Sequence, residues 1–342
     1  MRTFLSALAS LLSLSLAAGC AGAAPMRADA GTDAAAIDAD SRDAGSDAGP
    51  VDAGPPIPAP VIGMFLPDMT TIELRRIDPT TGNSTLMVTI DSVRAFPVNG
   101  AAFDDAADIL YVAVIVGATE DLVAIDATTD TIVSRMPLDV VLQQLWIDGR
   151  RRLFGSPTGS PGATDLVYID PATGRTSPAG TLPTQVPIGN GTTDGLHGRF
   201  YVEGGSDPFD LVAYDESGFA VVDTDTFAGT WLHEIEAGAD GRIYGIRVET
   251  GASMVAPDLF LGWLDPSTGM RSATASDIAI GSGPLITGAS GIDPGLLRYY
   301  ALYANMGLRV LTIDVGLGRV LYDVPADRIY NDLYVLTPAG PI

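Results

Sequence analysis

Lysine is absent from this 342-residue chain, and all 19 basic residues are arginine. Cysteine occurs once, at Cys20. No intramolecular disulfide can form, and thiol chemistry and cysteine metal sites are excluded from everything that follows it. Histidine occurs only at His197 and His233, which leaves little for imidazole catalysis. Positive charge is scarce against 42 acidic residues, giving a formal net charge of −23. A polyanion of this kind repels nucleic acid and anionic lipid headgroups, so nucleic-acid binding is excluded.

Long apolar runs are also missing, except at the start. Residues 1–20 read MRTFLSALASLLSLSLAAGC. Arg2 supplies a short positive region, and Phe4 to Ala18 form an apolar stretch too short to span ~30 Å of hydrocarbon as a helix. Leu16-Ala17-Ala18-Gly19-Cys20 resembles the lipobox that precedes the modified cysteine of bacterial lipoproteins. Residues 1–19 therefore read as a signal peptide, and Cys20 as the lipidated residue. Ala21 follows, where the enteric sorting rule places Asp for inner-membrane retention, so the expected location is the cell envelope, at the outer membrane. Residues 20–60 read as a tether. Ala, Asp, Gly and Pro dominate it, with DAG recurring at Asp29, Asp43, Asp47 and Asp52 and no aromatic residue. Such a segment buries too little apolar surface to offset its ordering entropy, and its uncompensated Asp charge extends it. The acids at Asp38 and Asp40 do not form a calcium loop, because Arg42 stands at the third ligand position.

From Val61 to Ile342 a period of about 47 residues appears, the range of four-stranded propeller blades. One register reads LRRIDPTTG at Asp78, LVAIDATTD at Asp126, LVYIDPATG at Asp170, FAVVDTDTF at Asp223, LGWLDPSTG at Asp265 and VLTIDVGLG at Asp314. Asp accepts bonds from the amides ahead of it, Pro presets φ, and Gly takes the positive φ that closes the turn. A second, offset register passes through Asp104, Asp148, Asp194, Asp240 and Asp293, with Thr337 in the sixth copy. Each copy is a strand, a tight turn and an aromatic-rich strand. Strands A and B flank this turn; C and D flank the first. The last strand A, Asp332 to Leu336, lacks a strand B, and the first blade, opening at Val61, lacks a strand A. The expected architecture is an all-β, single six-bladed propeller closed by the C-terminal strand. Seven blades would require a further hairpin within residues 201–217 or 246–260.

The pattern LxxIDPxTG followed by an apolar strand, with D-x-x-x-R-L-Y-V at the other turn, resembles the YVTN/gluconolactonase-like propeller group over nearly all of 61–342. The marks of WD and kelch repeats are absent. The resemblance implies a fold more than a function, since that group holds both enzymes and binding proteins.

Catalytic motifs are lacking. His197 reads as an exposed turn residue and His233 as the end of a strand D. HExxH fails because Ala237 stands at its last position, and GSPTG at 155–159 is not a nucleophile elbow. No catalytic residue is assigned. The D-to-A connections, which ring a propeller's channel mouth, carry Asn99, Gln144, Asn190, Glu236, Asn331 and Asp332. Their oxygens would suit a hard cation such as calcium. Calcium-dependent lactonase-type propellers, which the chain resembles in fold, use Glu, Asn and Asp there. Two functions follow: a monomeric, membrane-anchored binding or scaffold module for a protein, peptide or glycan, needing no cofactor; or a calcium-dependent lactonase-like hydrolase with its site at the channel mouth.

Overall fold

The computed structural model describes residues 61–68, 70–91, 100–158, 164–182, 191–205, 209–227, 232–249, 257–272, 277–282, 285–293, 295–304 and 307–335. These form six antiparallel sheets arranged as a six-bladed propeller. Blade one holds Val61–Phe65, Thr71–Ile77 and Ser84–Asp91, and its innermost strand is Tyr330–Val335. The ladder pairs Val61 with Val335 and Met64 with Asp332, which is the closure expected from the repeat. Blades two to six begin at their innermost strands, Ala101–Asp104, Leu142–Ile147, Gly191–Asp194, Leu232–Ala237 and Leu285–Asp293, and each continues outward through three more. The described residues of the two segments that might have hidden a seventh blade belong mostly to the B and C strands of blades four and five. Arg199 pairs with Asp215 there, and Ile243 with Leu264. In blade five the outer strand is split into Met270–Arg271 and Ile278–Ser282.

The turn chemistry recurs around the ring. In the C–D turns, Asp78 accepts the Thr80 amide at 2.8 Å, Asp170 that of Ala172 at 3.0 Å and Asp265 that of Ser267 at 2.9 Å. The closing residue is left-handed in all six: Gly82, Asp130, Gly174, Phe219, Gly269 and Gly318. A Cβ at Gly174 would also run into the Pro137 carbonyl of blade two, so glycine is required there twice over. In blade four the turn Asp is Asp215, which accepts the Ser217 amide at 2.7 Å. Asp223, expected at that position, lies instead inside strand D, Val221–Phe227. The slip arose because Phe219, not a glycine, closes this turn.

The core consists of six apolar seams, one between each pair of adjacent blades. The seam between blades three and four is aromatic: Phe154 and Phe200 meet edge to face at 5.4 Å, and Phe219 lies 5.0 Å from Phe154. The seam between blades six and one is completed by Tyr330 and Leu333 of the closing strand, each 1% exposed. No single blade could bury these faces alone, so stability comes from closing the ring.

Candidate functional site

The sequence placed the channel-mouth residues in connections. The structure places Gln144, Glu236, Asn331 and Asp332 inside innermost strands. Asn99 and Asn190 lie outside the described residues, as do Cys20 and Thr337. His233 is likewise in the innermost strand of blade five, not at the end of a strand D, which closes at Phe227 in blade four. Burial lowers its imidazole pKa.

The ladder also corrects the register. Ile147 pairs with Leu153, which pairs with Ile169, the residue before turn Asp170. Ala237 pairs with Ile243, which pairs with Leu264, the residue before Asp265. Ile147 and Ala237 are therefore equivalent, and Glu236 matches Trp146. Gln144 faces Ser156, Asp332 faces Met64 and His233 faces Ile246, each partner three residues on from the start of its ladder, so Gln144 and Asp332 match His233, and the irregularity between His233 and Glu236 puts Glu234 out of step. The sequence alignment slipped by two because Gly238, not Asp240, opens the blade-five turn: its amide donates to the Arg242 carbonyl as that of Asp148 does to Arg152.

Glu234 is the residue that sequence reasoning missed. It is buried, 3% exposed, and its φ is +57° at an irregularity in the strand A ladder. A non-glycine residue in that region stores about 1–3 kcal/mol of strain, which persists only where the surroundings hold it. Blade six does the holding. Tyr299 donates its hydroxyl to the Glu234 carbonyl at 2.6 Å, and Ser290 sits 3.5 Å from the same oxygen. Ser290 also donates to Glu236 Oε1 at 3.2 Å. From blade four, Thr192 Oγ1 accepts the Ala237 amide at 3.1 Å, and Glu203 Oε1 accepts that of Leu232. The signal in the sequence was H-E-x-E on a strand expected to be innermost.

Enclosure by protein, with the Glu234 carboxyl nearby, pushes the Glu236 pKa up to about 8. At neutral pH it is therefore mostly a protonated acid that can both donate and accept. Glu203, buried beneath Leu232, is raised by the same cause to about 8. Among the described residues, no three His, Cys, Asp or Glu side chains are grouped to hold a metal ion. The arrangement suits hydrogen bonding to a polar group entering the channel.

These features define a β-propeller with a polar, strained inner wall at blades four to six. In fold the chain is similar to a propeller of the nidogen/laminin complex, at 13% identity and TM-score 0.54, over 82% of this chain and 99% of that one. It is similar also to TolB from Acinetobacter baumannii, at 11% identity and TM-score 0.59, over 82% of this chain and 67% of that one. No family model and no curated protein matches the sequence. The likeness to 843 solved chains shows a widely used fold, and a shared fold does not carry a function.

Proposed function

We propose that the protein is an envelope lipoprotein, a propeller of the YVTN/gluconolactonase-like kind anchored through Cys20, that binds a protein or peptide ligand by a segment entering the channel from its mouth. The observation that carries the binding site is the strained Glu234 beside Glu236 on the innermost strand, held by Tyr299 and Ser290 of the next blade. The nidogen/laminin likeness is in keeping with it, since that propeller was solved in a protein complex. Strand Val61–Phe65 begins at the end of the ring where the A–B and C–D turns lie, so the chain enters on the turn face.

One experiment tests anchor and face together. A photo-crosslinking residue at exposed Ala118, on the mouth-face hairpin of blade two, should capture one discrete envelope species in cells. The same group at exposed Leu317, on the turn face, should not. Adding Cys20→Ser should release the protein from the membrane fraction. Equal capture at both positions refutes the assigned face, and a Cys20→Ser protein still in the membrane refutes the lipid anchor.

A further inference from the structure

The turn face carries a cleft of about 430 Å³ between blades two and three. Tyr111 of blade two forms one side. Ile147, Arg151, Arg152, Tyr168 and Arg175 of blade three form much of the rest. Three arginines thus line the cleft against one lining acid, Asp170.

The hydrogen bonds around the cleft leave donors in surplus. Asp104 takes Arg151 through Nε and Nη2, both at 2.9 Å, and also accepts the Ala107 amide. Asp148 takes Arg152 Nε at 2.7 Å together with the Arg150 and Arg152 amides. Asp170 is occupied by the Ala172 amide and the Thr173 hydroxyl. The acids beside the cleft are thus engaged by internal donors. The arginines are not used up. Nη1 of Arg151 and of Arg152 bonds to no described residue, and exposed Arg175 makes no side-chain hydrogen bond or ion pair to one. Donors outnumber the lining carboxylates, and paired guanidinium N–H groups match the oxygens of an oxyanion.

The guanidiniums are also held in place. Arg152 lies 4.3 Å over the Tyr168 ring and donates to the Glu216 carbonyl at 2.7 Å. Arg151 occupies a left-handed position, φ +64°, that the equivalent turns fill with Asp108, Gly198, Gly241 and Leu297. The cleft at the same place between blades four and five, about 730 Å³, is instead lined by Asp194, Asp223, Asp240 and Asp265 against Arg199 and Arg242. The arginine lining therefore belongs to this seam and not to the fold.

We infer that the cleft between blades two and three binds a small ligand through an oxyanion, carboxylate or phosphate, with an apolar ring seated beside Tyr111 and Ile147. Its volume lies within the usual range of small-molecule sites. The site is on the opposite face from the channel mouth and stands independently of it.

Titration of the full-length chain in detergent with benzoate, phenyl phosphate and benzyl alcohol tests this. Saturable binding is expected for at least one oxyanion and not for the alcohol. The tighter of the two oxyanions identifies the ligand chemistry. Arg175→Gln, which breaks no bond of the fold, should weaken that binding about tenfold with no change in melting temperature. Arg319→Gln, on an exposed strand edge of blade six, should leave it unchanged. No saturable oxyanion binding, equal binding of benzyl alcohol, or equal affinity in wild type and Arg175→Gln would overturn the inference.

Discussion

Arg247 shows how blade five survives a broken outer strand. It is 1% exposed, yet charged. Its Nε donates to Asp277 at 2.7 Å, Glu249 pairs with it as well, and it lies 4.5 Å over the Phe260 ring. Asp277 precedes the second half of the split strand and also accepts the Ser272 hydroxyl. The ion pair thus ties down the segment that the ladder leaves interrupted. Removing one partner strands a buried charge, which costs about 3–5 kcal/mol, whereas replacing both with apolar side chains comes close to neutral. Arg247→Met should therefore lower the denaturant midpoint sharply, and Arg247→Met with Asp277→Leu should recover most of the loss. A double variant no more stable than the single one would show that the pair is not the cause. Phe219 weighs two terms in the same way. Its left-handed φ of +52° costs about 1–3 kcal/mol, and its buried ring among Phe154, Phe200 and Tyr168 returns more.

At the scale of the element, the closing strand Tyr330–Val335 matters most. Its loss would expose the edge of Val61–Phe65 and empty the place of Tyr330, whose hydroxyl donates to Asp327 at 2.6 Å. Deleting residues 330–342 should cost several kcal/mol, comparable to a domain's whole stability. Tyr330→Ala, at about 3–5 kcal/mol, is the milder variant should the truncation fail to fold. A truncated chain melting within a degree or two of the full one would refute the closure. This strand was legible because a repeat with one orphan strand at each end has one economical solution. The turns were legible wherever glycine closes them, as at Gly82, Gly174, Gly269 and Gly318. Where Phe219 took that place, the register slid onto Asp223. The innermost strands were legible as elements and less so as sites. A turn that starts at Gly238 and a bulge beside Glu234 shift the phase, and neither leaves a mark in composition. The level shared by Gln144, His233 and Asp332 is a property of the ladder, which a count from turn residues does not recover.

For the whole molecule, the buried carboxyls set a pH dependence. Desolvation raises Glu203 and Glu236 to about 8 and Glu216 to about 7. The Glu216 carboxyl is also near Asp148 and Asp194, and the Gly149 amide it accepts at 2.9 Å offsets only part of the rise. A folded-state pKa above the unfolded value contributes stability that is complete below about pH 4.5 and is lost as pH climbs through 7 to 8. The lowered pKa of His233 and of the turn acids Asp78, Asp126, Asp170 and Asp265 acts in the opposite sense, withdrawing stability on acidification. Melting temperature should therefore peak at mildly acidic pH and fall between pH 6 and 9. Glu236→Gln should flatten the alkaline side of that curve. Thermal melts across the range check this, and a wild-type curve flat from pH 6 to 9 would contradict it.

The pairing of Val61 with Val335 has a mechanical consequence. A pull transmitted through residue 60 enters the ring at Val61, along the axis of a strand laddered on both flanks, to Tyr330–Val335 and to Thr71–Ile77. Force in that direction shears two rows of hydrogen bonds at once, and the bonds share the load. Force applied beyond Val335 acts on a strand laddered on one flank alone. Of the two ends of its own ring, the protein meets tension from the N-terminal side with the stronger one.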